Sequence, residues 1–370
     1  MPRPLRIAQF LSHSGINGVV TSVLPLLPEL VGLGHAVMLV HRPGAWIADA
    51  LAGSGVSLAA SPLRSTREAI ADLKTRLRDF GADVIHTHGG SAHKLGAILR
   101  MTTDMPVVAT AHSRHIEFYW AFNNRIIAPS PATAAFHRRW SLVRGRNIRI
   151  IPNLFRTDAV PLVTPAQRAA QRAALGIPEG AFVLGTVGEV NERKHQIDAV
   201  RVLDLLVRDG LDARLVLVGA QKADRHRERM EALIAARGLA PRVLRLGERS
   251  DARALIAAFD VFVFTSRNET APVACAEAMA AGLPLLATPV GDLPLHLSDG
   301  TAGRLFPIGA VDAMARFAAE LAADPDARER MGAAGRRLVA ERLSPAHIAP
   351  RIEAVYRELV PEGGNAQNSG

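Results

Sequence analysis

The stretch Val261-Phe262-Val263-Phe264-Thr265-Ser266-Arg267-Asn268-Glu269-Thr270-Ala271-Pro272-Val273-Ala274-Cys275-Ala276-Glu277-Ala278-Met279-Ala280-Ala281-Gly282-Leu283-Pro284 decides how this chain is read. Its first four residues are apolar, β-branched or aromatic, and the run suits a short buried strand. Pro272 fits the first turn of a helix, which the spacing predicts to run to about Ala281, with Gly282 as its stop and Pro284 beyond. Another apolar run, Leu285 to Ala287, follows, so the segment reads as strand, polar loop, helix, strand: one βαβ unit of a parallel sheet. Glu269 then lies in the loop and Glu277 on the second turn of the helix. An ionised carboxylate only accepts hydrogen bonds and can take two, which suits the vicinal hydroxyls of a ribose. The competing reading is that Glu269 caps the helix and Glu277 faces solvent.

Outward from this unit the same rhythm covers the chain, and the class is α/β. Strands are predicted at Leu5–Leu11, Ala36–His41, Val56–Ala60, Asp83–Thr87, Val107–Ala111, Arg125–Ala128 and Ile148–Ile151, and again at Phe182–Gly188, Arg214–Val218, Val243–Leu246, Val261–Phe264, Leu285–Ala287 and Gly303–Phe306. Between the two sets Pro161, Pro165 and Pro178 surround the helix-forming run Gln167–Leu175 and break the rhythm. We expect an N-terminal Rossmann-like domain over residues 1–165, joined by a last helix over 345–360 that opens at Ser344-Pro345. A C-terminal Rossmann-like domain over 166–344 and a disordered tail over 361–370 complete the division. Two such doubly wound sheets place ligands at the carboxyl ends of their strands, in a cleft between the domains.

Composition sets limits. The chain has 370 residues, 48% of them hydrophobic and 21% charged, which excludes a disordered or fibrous polymer. Its net charge of +9 favours anionic partners such as nucleotide phosphates or anionic lipid. The basic residues are scattered, and with no recognisable reading module nucleic acid is not expected. The single cysteine, Cys275, excludes an internal disulfide and suits a cytoplasmic setting; it reads as a small buried hydrophobe. Met1–Leu11 lacks a small-residue cleavage site, and no apolar run reaches membrane-spanning length.

Polar residues gather at the predicted strand ends. Glu189-Val190-Asn191-Glu192-Arg193-Lys194-His195-Gln196 follows Gly188 and is expected to open a helix, where the adjacent cations Arg193 and Lys194 suit a diphosphate. Gly15 and Gly18 precede a helix from about Val19 and permit close backbone approach to an anion or sugar. His86 and His88 end one strand and His112 the next. No third ligand is indicated beside them, and no metal site is expected.

The ordered features from Arg6 to about Tyr356 resemble the retaining glycosyltransferases of family four, which have the GT-B fold. The resemblance rests on Glu269 and Glu277, on Ala278-Met279-Ala280-Ala281-Gly282-Leu283-Pro284, on Ala287-Thr288-Pro289-Val290-Gly291-Asp292, on Asp299-Gly300 with Gly303-Arg304-Leu305-Phe306-Pro307, and on Gly34-His35. It implies that Glu277 holds a nucleotide ribose, that Glu269 contacts the transferred sugar, and that His112 hydrogen-bonds a sugar hydroxyl beside the anomeric carbon, with His88 behind it. Catalytic candidates are therefore His112, Arg193, Lys194 and Glu269. Donor-binding candidates are Gly15, Gly18, Gly188, Arg193, Lys194, Glu269, Thr270, Ala271, Val273 and Glu277. Two departures stand out. The family commonly has Gly-x-Gly after its first glutamate, whereas here Thr270-Ala271-Pro272 includes a residue without an N–H; and Glu189 stands where the family commonly has arginine. Asn153, in Ile151-Pro152-Asn153, resembles a hinge segment of the family and is expected to be structural.

The implied function is transfer of a sugar from a nucleoside-diphosphate sugar, with no cofactor required, to a glycan or lipid-linked acceptor in lipopolysaccharide, cell-surface polysaccharide or glycolipid synthesis. The aromatic and basic segments His115–Trp120 and Phe136–Trp140, with Arg144 and Arg146, suggest peripheral contact with an anionic membrane at its cytoplasmic face. Two other classes share the fold: a nucleotide-sugar epimerase, which would convert donor without acceptor, and a degenerate sugar-nucleotide-binding protein, which would bind donor and turn nothing over.

Overall fold

A computed structural model describes residues 2–160, 162–222 and 224–360. The tail expected to be disordered lies outside them. The backbone divides into two units, one ending at Phe155 and resumed from Leu343, the other Arg156–Arg342.

The first unit holds β1 (Arg6–Leu11), β2 (Ala36–His41), β3 (Ser57–Ala60), β4 (Val84–His88), β5 (Val107–Thr110), β6 (Arg125–Ala128) and β7 (Ile148–Ile150). They form one parallel sheet in the order β3-β2-β1-β4-β5-β6-β7. Both faces of the central strands β1, β2, β4 and β5 are covered, which is why they read as unbroken apolar runs rather than alternating ones. One core joins Leu5, Ile7 and Leu11 of this sheet region to Leu26, Leu27 and Leu30 and to Ile348, Ile352, Val355 and Tyr356 of the C-terminal helix Pro345–Arg357. The chain therefore returns to its first sheet to finish that core. Ser344 occupies the cap position of this helix, but its hydroxyl makes no capping bond.

The second unit holds β8 (Phe182–Val187), β9 (Ala213–Val218), β10 (Val243–Gly247), β11 (Val261–Phe264), β12 (Leu285–Ala287) and β13 (Gly303–Leu305). They form a parallel sheet in the order β10-β9-β8-β11-β12-β13. In both sheets the order reverses beside the first strand, between β1 and β4 and between β8 and β11, and such reversals open a crevice for ligands at the carboxyl edge.

The units part between Phe155 and Arg156, before the expected position near 165. The reason is an ion-pair anchor. The helix Pro165–Ala174 sends Arg168 and Arg172 onto the buried Asp260, at 2.8 and 2.7 Å, and Asp260 also accepts from the Val183 N–H at 2.8 Å. The proline-rich segment is thereby fastened to the edge of β8 and β11.

Candidate active site

In the second unit the loop after β8 is fixed by the loop after β11. Ser266 Oγ and the Arg267 N–H both donate to the Arg193 carbonyl, at 3.0 and 2.8 Å. Thr265 Oγ1 donates toward the Lys194 and His195 carbonyls, at 3.2 and 3.0 Å. Asn191 Oδ1 accepts from the Lys194 N–H at 3.0 Å, closing a tight turn. The expected helix opening at Glu189 is corrected here: the helix begins at Ile197. Two residues before it, His195 has φ +52°, a left-handed conformation that a helix cannot contain, so Arg193 and Lys194 ride on a clamped turn instead. Close packing supports this turn from behind. A Cβ on Gly219 would lie 2.2 Å from the Gly188 carbonyl oxygen, so only glycine fits between β9 and the strand end at Gly188.

This turn presents its cations to Glu269. Lys194 Nζ lies 2.7 Å from Glu269 Oε1, Arg193 Nη1 pairs with the same oxygen, and Ser266 Oγ donates to it at 3.1 Å. Lys194 Nζ also sits 4.7 Å above the Phe264 ring, which holds its stem in place. Glu269 is therefore no helix cap, and its side chain is only 11% exposed. Glu277 does not face solvent freely either: its side chain is 13% exposed and bonded to Arg253 Nε at 2.7 Å. The helix carrying it, Val273–Ala280, has no side-chain cap, so its first N–H groups, beginning at Val273, remain presented at the carboxyl edge. Thr270 turns its carbonyl toward Gly291, and Ala271 lies between it and Pro272. Glu189 pairs with Lys222 at 3.1 Å, which offsets a carboxylate where the resembled family has a cation. Cys275 is fully buried, and burial pushes its thiol well above the ordinary range, as an inert residue requires.

In the first unit Gly15 and Gly18, expected to let an anion or sugar approach the backbone, flank an internal cap. Asn17 Oδ1 accepts from the Val19 and Val20 N–H groups at 3.0 and 3.1 Å, so the start of the short helix Gly18–Val23 is already capped. The space around Gly15 is open, and the glycine whose close approach is obligatory is Gly89 (φ +89°), where a Cβ would lie 2.4 Å from Ser12 Oγ.

The histidines form a connected network at the ends of β4 and β5. Gln9 Nε2 donates to the Tyr356 hydroxyl at 3.0 Å, and Gln9 Oε1 accepts from His88 Nε2 at 2.9 Å. With its proton on Nε2, His88 offers Nδ1 to the Nε2–H of His112 at 3.0 Å, leaving His112 Nδ1 as a lone-pair acceptor. On the other branch Tyr356 meets His86 Nδ1 at 2.7 Å, and His86 Nε2 meets Thr110 Oγ1 at 2.7 Å. Burial, reinforced by the neighbouring His112, lowers the His86 pKa to about 3; burial, reinforced by His13, lowers His112 to about 3. His112 is thus a neutral imidazole with a set tautomer, and it lines a small cavity with Ser22, His88, Thr110 and Asn153. Sequence reading found the histidines but not Gln9 or Tyr356. A glutamine inside an apolar strand was the available signal for the first, since a buried amide needs partners.

The membrane-facing expectation divides. Phe118, Ile116, Trp140 and Leu142 are exposed, whereas Trp120 and His137 are buried; His137 bonds Ser141 and the Ser113 carbonyl, and its ring lies 4.5 Å from that of Trp120. Among the described residues no helix is long and apolar enough to cross a membrane.

Two Rossmann-like parallel sheets, each with polar residues at its reversal point, give the chain the GT-B fold. Comparison with known proteins makes this specific. Residues 16–159 match the family described as Glycosyltransferase Family 4, and residues 167–338 match Glycosyl transferases group 1. The chain belongs to family 4 of the glycosyltransferases. It is 26% identical to the alpha-maltose-1-phosphate synthase of Mycobacterium tuberculosis, over 94% of this chain and 96% of that one. It is 28% identical to a D-inositol 3-phosphate glycosyltransferase of Saccharomonospora viridis, over 75% and 70%. In fold it is similar to the Anabaena protein HepE in complex with UDP and glucose, with a TM-score of 0.79 at 18% identity, covering 95% and 98% of the chains.

Proposed function

We propose that the protein is a retaining glycosyltransferase that takes a nucleoside-diphosphate sugar as donor and a hydroxyl of a glycan or lipid-linked acceptor, in lipopolysaccharide, surface-polysaccharide or glycolipid synthesis. The observation that carries this reading is the shared contact of Arg193 and Lys194 with Glu269 at the β8/β11 reversal, one helix away from the second carboxylate, Glu277. One carboxylate and two cations leave a net positive turn. An arriving diphosphate competes for both cations and frees Glu269 to accept hydrogen bonds from the sugar, while Glu277 takes the ribose hydroxyls. As the glycosidic bond breaks, negative charge gathers on the leaving phosphate, and the two cations stabilise it where a metal serves in other transferases. No cofactor enters this scheme. His112, neutral and with Nδ1 as acceptor, suits a sugar hydroxyl near the anomeric carbon. HepE, to which the chain is similar in fold, has been seen in complex with UDP and with UDP-glucose, which supports a nucleotide-sugar donor.

The test is thermal stabilisation of the protein by UDP-, GDP-, ADP- and dTDP-sugars and their free nucleotides, since a ligand of the native state raises the midpoint by mass action. One nucleotide series is expected to raise it, and Glu277→Ala to abolish the rise. No rise with any of them, or conversion of donor without acceptor, would overturn the reading.

Membrane contact is part of the proposal. Phe118 is 83% exposed and Trp140 52%, with Arg139 stacked 5.0 Å over the Trp140 ring, an apolar surface edged by cations. Vesicles containing phosphatidylglycerol are expected to float the protein and neutral vesicles to leave it behind; equal recovery from both would remove the electrostatic part.

A further inference from the structure

The structure brings together three side chains that the transfer scheme does not use. We propose that Glu192, His195 and His226 bind one first-row divalent cation of the zinc type. Their ligand atoms lie within 4.8 Å of one another: Glu192 Oε1 is 3.8 Å from His195 Nε2, and Glu192 Oε2 is 3.5 Å from His226 Nδ1. Donor atoms about 2.0–2.1 Å from a tetrahedral centre stand roughly 3.4 Å apart, so only small movements close the trio on a metal.

The hydrogen bonding favours an occupant. His195 Nδ1 lies 2.9 Å from Asp198 Oδ2 and donates to it, which fixes the tautomer and leaves Nε2 as a bare lone pair turned toward Glu192. A ligand histidine commonly has such a carboxylate behind it. Asp198 is itself buried and steadied by Arg201 at 2.7 Å. His226 is 1% exposed, yet neither of its ring nitrogens has a hydrogen-bond partner. A buried imidazole in that state is costly, and a cation at the centre of the trio would take up the lone pair of Nδ1, the nitrogen turned toward Glu192.

Arg229 pairs with Glu192 Oε2, and Arg267 approaches Oε1 at 3.5 Å. Both are exposed, and a metal would take their place on one carboxylate oxygen. A bound cation would tie the turn bearing Arg193 and Lys194 to the helix Arg225–Ala236, and Glu192, on the exposed side, would leave a coordination position open to water. This inference is independent of the donor reading.

The experiment uses the full chain freed of metal by chelation, titrated with zinc and separately with cobalt. One equivalent per chain, a cobalt visible spectrum of low-symmetry nitrogen and oxygen ligation, and a raised thermal midpoint are expected. Glu192→Gln, at an exposed position, and His226→Asn should lose the site, Asp198→Asn should weaken it by about 10–100-fold, and His112→Asn should keep it. No stoichiometric zinc, or zinc bound equally by wild type and Glu192→Gln, would overturn the proposal. Should His226→Asn fail to fold, Glu192→Gln decides alone.

Discussion

Lys194→Ala is expected to lower the turnover number of sugar transfer by about 10²–10³, the usual cost of one preorganised electrostatic contact to a leaving group. The ammonium group sits 2.7 Å from Glu269 Oε1 and 4.7 Å from the Phe264 ring, and its side chain is 13% exposed, so its position is set before substrate arrives. Preorganisation matters because charge on the leaving diphosphate grows as the sugar departs; a cation already in place stabilises the transition state more than the ground state. The loss should therefore fall mainly on kcat, with a smaller change in donor KM. Arg193→Ala should cost less: its side chain is 48% exposed, and solvent screens what it contributes. Lys194→Arg should recover part of the loss, since charge returns but the compact ammonium geometry over Phe264 does not. Single-turnover rates with excess enzyme are the measurement. An unchanged kcat for Lys194→Ala, with the fold intact by circular dichroism, would remove Lys194 from the chemistry.

Glu269 gives this expectation a second readout. Its carboxylate bridges Arg193, Lys194 and Ser266. Removing it by Glu269→Gln leaves both cations without their negative partner. Affinity for the free nucleoside diphosphate should then rise, while transfer falls because the sugar loses an acceptor. The opposite signs separate a carboxylate that competes with phosphate from one that is merely structural.

The fold was readable because the central strands of both sheets are buried on two faces, and an apolar run of four to six residues such as Val261–Phe264 or Ala36–His41 needs no tertiary information. Strand ends moved by only a residue or so. The unit boundary was less readable: prolines mark a break in rhythm, but whether the helix after the break belongs to one side or the other depended on Arg168 and Arg172 reaching Asp260, a contact between residues far apart in sequence. The same limit governed the site. Glu269, Glu277, Arg193 and Lys194 announce themselves by lying where strands end. That Arg193 and Lys194 precede the helix rather than open it turns on one backbone conformation, φ +52° at His195, which no periodicity encodes. Partners across the fold were equally silent: Gln9 meets Tyr356 through the return of the C-terminal helix, and His226 meets His195 through the docking of one loop on another helix.

The first unit is expected to lose stability steadily as pH falls from about 6.5 toward 3, and the part of that loss above about pH 5 comes before most carboxylates titrate. His86, His88, His93 and His112 are held neutral, chiefly by burial, with pKa values far below the ordinary 6.5 and near 3 for His86 and His112. In the unfolded chain the same imidazoles take up protons near pH 6.5. Throughout the window between these values the unfolded state binds more protons than the native one, so acid favours unfolding. Stability is full above about pH 6.5 and is lost on the way down, by about 1.4 kcal/mol per pH unit for each histidine fully protonated only when unfolded. All three tryptophans, Trp46, Trp120 and Trp140, belong to the first unit, so their fluorescence reports that unit alone. Trp120 is the most telling, being 2% exposed with its ring 4.5 Å from that of His93. Urea midpoints followed by tryptophan emission should drop between pH 7 and pH 5, where aspartates and most glutamates remain ionised and contribute little. Histidine ring-proton NMR supplies the site-specific check: the His112 resonance should stay in its neutral form through pH 5. A His112 signal titrating near 6.5, or a midpoint flat across this window, would show that the network is charged or open to water. It would then cease to set the acceptor tautomer on which the role of His112 depends.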